Sequence, residues 1–246
     1  MTPAPGLERA DIAGIGVLSD ERARRDGVLV AFTNRRGGVS RAPYDSLNFA
    51  ARVGDDRADV AVNRARVAAA LGFDLGALVL ARQVHGAEVL EATTGSSGTL
   101  GRGDGLVARV PGPVLGLLTA DCAPIVVAGD SGVAVLHGGW RGLVAGIVER
   151  GLAALAGARR AWVGPAIRAC CYEVGPEVVE EFRRRGLPVS DPRRVDPAVA
   201  AATVLADAGL EVVVSDVCTA CDASYFSYRR DGTTGRQGAF ATLLGP

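Results

Sequence analysis

The sequence has 246 residues, 48% of them hydrophobic, which suffices for one large domain or two small ones with a buried core. Its 27 basic and 27 acidic residues give a net charge of zero, which argues against a protein that binds nucleic acid or a membrane surface. The sequence contains no lysine, which excludes a lysine Schiff base and a P-loop, and its two histidines are too few for a trinuclear copper centre.

The first half of the chain is predicted to be rich in strands. Residues 1–26 give no clear prediction, whereas an apolar run at 28–33 predicts a strand and the Gly-, Pro-, Ser- and Asn-rich segment 34–48 predicts a structured loop. Asp55 or Asp56 can cap a helix that runs to about Leu71, with Gly72 just beyond its end. Further strands are predicted at 77–85, 88–92, 114–119, 125–128 and 133–136, with a loop at 93–103.

The second half is predicted to mix helices with short strands. The patterns predict helices at 141–155, 176–185 and 197–208, strands at 161–163 and 211–214, and a loop at 224–237. Neither an internal repeat nor a linker is visible, so residues 1–246 are predicted to form one domain. Strands and helices do not alternate strictly, which favours an α+β domain with mixed sheets over a doubly wound fold.

Three residues of metal-ligand type share one sequence context, the end of a strand that opens into a loop marked by Gly or Pro. They are His85, Cys122 and His137. Two imidazoles and one thiolate leave a fourth tetrahedral position open, which is typical of catalytic rather than structural zinc. Copper also binds such a donor set. The alternative is that each residue is structural, with Cys122 packed as a small hydrophobe.

An anion site is predicted where His137 leads through two glycines and a tryptophan into the next helix. The free N–H groups at a helix start favour an anion, and Arg141 adds a fixed positive charge. Phosphate or a carboxylate could therefore bind beside the metal. The alternative is an ordinary glycine turn with a solvated arginine.

Two polar loops combine arginine with asparagine or aromatic residues. One spans 34–48 and contains Arg35 and Asn48, and the other spans 225–236 and contains Arg230. Nucleoside and sugar sites often have this composition.

The remaining cysteines do not predict a second site. Cys170 and Cys171 are adjacent, and Cys218 and Cys221 form a C-x-x-C pair. Adjacent cysteines do not easily chelate one tetrahedral ion, and no thioredoxin-like unit surrounds the C-x-x-C pair. Because no signal peptide is visible, the sequence predicts a cytoplasmic protein with cysteine thiols rather than disulfides.

From about Phe32 to the C-terminus, a series of ordered motifs resembles the YfiH-type family. This family has been described both as laccase-like polyphenol oxidases and as purine nucleoside phosphorylases. The matching motifs include Gln-Val-His-Gly at 83–86, Ala-Asp-Cys at 120–122, His-Gly-Gly-Trp-Arg-Gly at 137–142 and Phe-Ser-Tyr-Arg-Arg-Asp-Gly at 226–232. Others lie at 35–40, 43–48, 53–56, 104–107, 164–165 and 172–175.

The resemblance implies a layered α/β/β/α fold similar to that of the cytotoxic necrotizing factor domain. It also implies that His85, Cys122 and His137 bind a metal and form the catalytic centre. The implied reaction is phosphorolysis of adenosine, inosine and methylthioadenosine, with adenosine deamination as a second activity. Some bacterial members resemble amidases that edit a UDP-muramyl peptidoglycan precursor.

The leading hypothesis is therefore a zinc-dependent purine nucleoside phosphorylase and deaminase that acts on a nucleoside and phosphate. Either Asp121 or Asp104 could transfer the proton. The predicted substrate contacts are Arg35, Asn48, Gln83, Asp104, Arg141 and Arg230.

Three alternatives remain open from the sequence. The first is a cysteine hydrolase with Cys122 as nucleophile and His137 as base, and the second is a regulatory module that binds a metal or a nucleoside without turnover. The least favoured is a copper polyphenol oxidase, because the histidines are too few.

Overall fold

The computed structural model describes residues 6–245, which contain the following elements. The strands are β1 (Glu8–Ile12), β2 (Ile15–Ser19), β3 (Val28–Thr33), β4 (Leu78–Arg82), β5 (Val89–Ala92), β6 (Gly98–Arg102), β7 (Gly105–Ala108), β8 (Val114–Thr119), β9 (Ala123–Gly129), β10 (Gly132–Gly138), β11 (Ala158–Val163), β12 (Val189–Asp191), β13 (Arg194–Val195), β14 (Glu211–Val214) and β15 (Gln237–Leu243). The helices are α1 (Glu21–Arg25), α2 (Arg57–Leu71), α3 (Trp140–Val144), α4 (Ile147–Ala154), α5 (Pro176–Arg184), α6 (Pro197–Asp207) and α7 (Tyr228–Asp231). Short 3₁₀ turns lie at Ala51–Val53 and Leu75–Ala77.

Within this part of the chain, two large mixed sheets dominate the fold. The first has the strand order β1-β2-β3-β15-β8-β4-β6, and the second has the order β14-β11-β9-β10-β7-β5. Most pairs are antiparallel, but β4 pairs in parallel with both β6 and β8, β5 with β7, and β11 with β14. The prediction of an α+β domain with mixed sheets is confirmed.

The two sheets pack face to face, with helices on both outer surfaces. Strand β9 shows the alternation, because Val126 faces the first sheet and packs in one cluster with Phe32 and Leu117. Its neighbour Ile125 faces the other way and belongs to a cluster with the apolar side of the helices, which includes Phe182 of α5. Helix α2 covers the outer face of the first sheet. The layers are therefore α/β/β/α, as the family resemblance implies.

Several elements agree closely with the sequence predictions. Strands β3, β8 and β14 have the predicted bounds. Helix α2 begins after Asp56, whose carboxylate accepts a hydrogen bond from the Ala58 N–H, and it ends at Gly72, which has a left-handed φ of 77°.

Other predictions were wrong. Strand β6 lies inside the predicted loop 93–103, and the predicted helix 141–155 is two helices separated by Gly146 at a φ of 83°. The sequence did not predict β7, β15 or the two N-terminal strands. Within residues 6–245, no helix combines the length and the apolar character needed to cross a bilayer.

Candidate active site

His85, Cys122 and His137 meet where the two sheets come together. His85 follows β4 of the first sheet, Cys122 lies in the turn from β8 to β9, and His137 lies near the end of β10. Their ligand atoms all lie within 4.8 Å of one another, and Cys122 Sγ is 3.9 Å from His85 Nε2. The centroids of the two imidazole rings are 4.8 Å apart. The structure thus brings together the three residues that the sequence singled out.

The buried carboxylate of Asp104 organises both histidines. Asp104 Oδ1 lies 2.7 Å from His137 Nδ1, and the carboxylate also accepts hydrogen bonds from the backbone N–H groups of Val84, His85 and Gly86. These bonds hold the turn in which His85 has a left-handed φ of 60°. A carboxylate behind a ligating histidine fixes its ring orientation and leaves the other nitrogen for a metal.

Without a metal, the electrostatics of the group favour a thiolate beside an imidazolium. Burial of Cys122 opposes its ionisation, but the charge of His137 and hydrogen bonds from His137 and His85 outweigh burial and lower the pKa of Cys122 to about 6. Burial also opposes the charged form of His137, but Cys122 and Asp104 together raise the pKa of His137 to about 9. The Cys122 sulfur is therefore disposed to act as a metal ligand or as a nucleophile.

The donor set fits a metal ion. The three side chains offer two imidazole nitrogens and one sulfur in close proximity, and Asp104 orients one imidazole from behind. Three protein ligands of this kind are typical of catalytic zinc sites. His85, Cys122 and His137 could thus hold a metal.

Asp121 is held beside Cys122 in a strained conformation. Its φ is 98°, a region that non-glycine residues seldom occupy. Asp121 Oδ1 accepts a hydrogen bond from the Thr219 hydroxyl at 2.7 Å, and Oδ2 accepts one from the Arg229 N–H at 2.7 Å. The backbone carbonyl of Asp121 accepts the N–H of Ile167 at 2.8 Å. Strain that is fixed in this way is often found at functional sites.

His85, Cys122 and His137, here named the metal-ligand group, line a cleft of about 1300 Å³. Asp121 lines the same cleft. Arg141 reaches this cleft from the first turn of α3, and its guanidinium carbon lies 4.4 Å from the centroid of the Trp140 ring. Among residues 6–245, no side chain or carbonyl accepts a hydrogen bond from the Arg141 guanidinium, so its donors are available to an anion. The structure therefore places Arg141 in the same cleft as His85, Cys122 and His137, and the sequence predicted an anion site at this arginine.

Several arginines of the cleft were not predicted as contacts from the sequence, among them Arg229 and Arg236. Arg236 is partly buried at the cleft wall, and Arg229 stacks on Tyr172 with the guanidinium carbon 5.0 Å from the ring centroid. Burial lowers the pKa of Arg236, because the charged guanidinium loses solvation by water. Both arginines lie in the polar loop 225–236, and the composition of that loop was the available signal.

The structure does not place three of the predicted substrate contacts in the cleft. The guanidinium of Arg35 pairs with the Asp45 carboxylate at 3.0 Å, and Arg230 donates to backbone carbonyls of nearby loops, including that of Thr219 at 2.8 Å. Asn48 is fully buried, and its side-chain oxygen accepts the N–H of Arg236. All three side chains join loops to one another, which is a structural role.

Two further predicted contacts lie near the metal ligands but are engaged within the protein. Gln83 lines the cleft, yet its amide group forms hydrogen bonds with both the N–H and the carbonyl of Leu118. Asp104 is 0% exposed, and its carboxylate faces His137 rather than the cleft. The geometry therefore favours a positioning role for Asp104 over the predicted contact with substrate. Of the two aspartates predicted to transfer the proton, Asp121 is the one that lines the cleft.

Comparison with known proteins adds to this geometry. A family model described as multi-copper polyphenol oxidoreductase laccase matches residues 29–244. The purine nucleoside phosphorylase YfiH of Escherichia coli is 39% identical over 232 residues, which cover 89% of this chain and 95% of that protein. The chain belongs to the YfiH family. The fold described above is therefore that of a YfiH-family member.

Other relatives agree with this assignment. A purine nucleoside phosphorylase of Deinococcus radiodurans is 41% identical over 237 residues, which cover 90% of this chain and 92% of that protein. The crystal structure of YlmD from Geobacillus stearothermophilus superposes with a TM-score of 0.88 at 32% identity and covers 98% of this chain and 100% of that one. Relatives named as purine nucleoside phosphorylases support an enzyme that acts on small molecules.

Proposed function

We propose that this chain, as a single catalytic domain, is a zinc-dependent purine nucleoside phosphorylase. The observation that carries the proposal is a cleft lined both by a His/Cys/His group and by an arginine with unused donors, Arg141. The names of the relatives supply the reaction class. Adenosine, inosine and methylthioadenosine are the proposed nucleosides, and inorganic phosphate is the proposed second substrate.

His85, Cys122 and His137 would hold the zinc ion, and Asp104 would keep the His137 ring in the required orientation. When bound, zinc supplies a positive charge that can polarise an oxygen of a substrate. Copper would fit the same donors, but two histidines cannot supply the ligands of a multi-copper oxidase. The donor set therefore favours nucleoside chemistry over the oxidase named in the family description.

In the proposed reaction, a phosphate oxygen forms a bond to the C1′ atom of the ribose while the bond from C1′ to the purine nitrogen breaks. The products are ribose 1-phosphate and the purine base, which gains the proton that the attacking hydrogen phosphate loses. Arg141 binds and orients the phosphate, because its guanidinium presents several donors to an anion. Asp121, held by Thr219 and Arg229, is the proposed group that moves the proton.

The decisive experiment measures release of adenine from adenosine and phosphate by the purified protein, before and after chelation and again after zinc is restored. We expect phosphate-dependent release that chelation abolishes and zinc restores. Unchanged turnover by the metal-free protein would contradict the zinc-dependent mechanism. Tight nucleoside binding without turnover in any metal state would instead indicate a regulatory module.

Adenosine deaminase activity is proposed as a second reaction of the same centre. It replaces the amino group of adenosine with an oxygen from water and releases ammonia. It is measured as inosine and ammonia formed from adenosine in the absence of phosphate. If the Cys122→Ala protein deaminated adenosine at the native rate, the reaction would not use this centre.

A second candidate function follows from one specific observation. Cys122 has a lowered pKa and lies close to the imidazole of His137. That imidazole in turn forms a hydrogen bond with the carboxylate of Asp104. The same order serves nucleophilic cysteine hydrolases. The corresponding candidate is an amidase that acts on UDP-muramyl peptidoglycan precursors.

The pH dependence of alkylation tests this candidate. In metal-free protein, the lowered pKa means that Cys122 stays a thiolate down to about pH 6, while His137 stays protonated up to about pH 9. Iodoacetamide should therefore modify Cys122 at a nearly constant rate from about pH 8 to about pH 7 and more slowly below about pH 6. Amidase activity that survives chelation but not this alkylation would favour the hydrolase, and zinc that blocks alkylation would favour the metal enzyme.

A further inference from the structure

Four cysteines outside the cleft bring their sulfur atoms together. Cys170 and Cys171 lie in the loop after β11, and Cys218 and Cys221 lie in the loop after β14. The four sulfur atoms all lie within 4.8 Å of one another. Cys221 Sγ is 3.7 Å from Cys170 Sγ and 3.3 Å from Cys171 Sγ. The adjacency of Cys170 and Cys171, for which the sequence disfavoured a shared ion, therefore does not keep their sulfurs apart.

The spacing of these atoms fits a common metal ion. Zinc–sulfur bonds of about 2.3 Å in a tetrahedron separate the sulfur atoms by about 3.8 Å. A disulfide would instead bring two sulfur atoms to about 2.0 Å. The distance of 3.7 Å from Cys221 Sγ to Cys170 Sγ is close to the tetrahedral value, and the distance of 3.3 Å to Cys171 Sγ is shorter than that value but much longer than a disulfide bond. All four cysteines are free thiols in the structure.

The backbone holds the two loops in register at this point. The Thr219 N–H donates to the Ala166 carbonyl at 3.0 Å, and a β-bridge joins Ala166 to Cys218. The Arg168 N–H points to Cys218 Sγ at 3.4 Å. Backbone N–H groups directed at sulfur are the outer contacts that orient thiolate ligands and stabilise their charge.

We propose that Cys170, Cys171, Cys218 and Cys221 bind one zinc ion in a second, structural site. Four thiolates fill every tetrahedral position, so such a site leaves none for a substrate. It is distinct from the His85, Cys122 and His137 group, and it does not depend on the proposed nucleoside chemistry.

From outside the cleft, the second site would stabilise the turn between β8 and β9 that contains Asp121. Thr219 lies between Cys218 and Cys221, and its hydroxyl donates a hydrogen bond to Asp121. Ile167, just before the first cysteine pair, donates its N–H to the carbonyl of Asp121. An ion that joins the two loops would therefore hold two of the three groups that fix Asp121 in its strained conformation, the third being the Arg229 N–H.

Metal analysis of protein purified under reducing conditions tests the proposal. We expect about two zinc ions per chain in the wild type and about one in the Cys170→Ser variant. The matched control is Cys122→Ser, which removes a sulfur from the other site and should also retain about one ion. The double variant should lose both ions. If wild-type and Cys170→Ser proteins contain the same amount of metal, the second site does not exist.

Cobalt substitution of the Cys122→Ser protein provides a readout that does not depend on the Cys170→Ser variant folding. Cobalt in a tetrathiolate site should give intense charge-transfer and d–d bands, because each coordinated sulfur contributes to them. Their absence, or a disulfide between Cys171 and Cys221 found by mass spectrometry in freshly purified protein, would overturn the proposal. A single ion that Cys122→Ser retains and Cys170→Ser loses would support this site and count against the proposed function.

Discussion

Asp104 contacts both histidines of the metal-ligand group although it lies outside the cleft. Its carboxylate forms hydrogen bonds with His137 Nδ1 and with the backbone N–H of His85, so one side chain positions two candidate metal ligands. Burial opposes ionisation of this carboxyl, but hydrogen bonds from His137, Gly86 and Val84 outweigh burial and lower its pKa. Asp104 therefore remains a carboxylate at neutral pH, as a partner of a ligating histidine must.

Replacing Asp104 with Asn should weaken the metal centre. The amide keeps the size of the carboxylate but removes its charge, so we expect zinc affinity to fall roughly 10- to 100-fold. The measurement is a zinc competition titration against a chelator of known affinity. The matched control is Asp20→Asn, another buried carboxylate, which bonds to β11 and should leave zinc affinity unchanged. Equal zinc affinity in Asp104→Asn and wild type would contradict the positioning role.

Replacing Arg141 with Ala should affect phosphate more than nucleoside. A hydrogen bond to a charged group contributes about 1.5–3 kcal/mol, so the KM for phosphate should rise roughly 10- to 100-fold. The KM for adenosine and the zinc content should change little. Arg150→Ala, an exposed arginine whose guanidinium lies 3.9 Å from the Glu88 carboxylate, serves as the control and should match the wild type. A rise confined to the KM for adenosine would show that Arg141 does not bind phosphate.

At the scale of single elements, the start of α3 shows why the motif at 137–142 needs a small residue. Gly139 is the N-cap of α3 and has an ordinary φ of −72°, so the backbone there would accept another residue. An added Cβ, however, would lie 3.0 Å from His85 Cδ2 and 3.3 Å from Cys122 Sγ. The glycine is therefore required by the metal-ligand group and not by the turn.

The Gly139→Ala protein should fold normally but bind zinc less tightly than the wild type. Overpacking of this kind costs about 1–3 kcal/mol, which corresponds to roughly a tenfold loss of zinc affinity. Thermal unfolding of the metal-free protein measures the effect on stability, and the zinc competition titration measures the effect on zinc affinity. Gly101→Ala on β6, where a Cβ would meet only Leu90 at 3.6 Å, is the matched control. A large loss of stability without loss of affinity would contradict this account.

Elements with their own local signals could be predicted from the sequence. Helix α2 has a capping Asp56 and a terminal Gly72, and β8 is a bounded apolar run. Strand β6, Gly98–Arg102, could not be recognised because its five residues include two glycines and only one large apolar side chain. It is a strand because it pairs with β4 at the edge of the first sheet, and that contact is tertiary.

The candidate site likewise contains some residues that local sequence could predict and others that depend on tertiary packing. His85, Cys122 and His137 could be predicted because their residue types are rare in this chain and are tied to metal chemistry. Arg35 and Arg230 were predicted as substrate contacts from composition, yet each is used to join loops. The direction in which an arginine points depends on packing between distant segments, which the local sequence does not encode.

At the scale of the whole molecule, Asp20 links the N-terminal strands to the second sheet. Its carboxylate accepts hydrogen bonds from Trp162 Nε1 at 2.7 Å and from the Arg160 guanidinium at 3.0 Å, and both partners lie on β11. Asp20 is 2% exposed, so this cluster is sheltered from water. Asp20 also caps α1 through the Ala23 N–H.

The Asp20→Ala substitution should therefore be strongly destabilising. It leaves the indole N–H and the Arg160 charge without their buried partner, which should lower the free energy of unfolding by about 3 kcal/mol. Denaturant unfolding followed by tryptophan fluorescence measures the change. Asp26→Ala removes an exposed carboxylate, 3.3 Å from the same guanidinium, and should cost less than about 1 kcal/mol. Similar losses in both variants would show that burial does not strengthen the Asp20 contact.

Strand β15 has a consequence for how the protein is made. It lies between β3 and β8 in the middle of the first sheet, yet it follows every other described strand in the sequence. During synthesis, β3 and β8 leave the ribosome without the strand that joins them, so their facing edges stay open until β15 has been translated. Because Cys122 lies just after β8, the nascent chain should acquire its metal-binding geometry only once β15 has left the ribosomal tunnel.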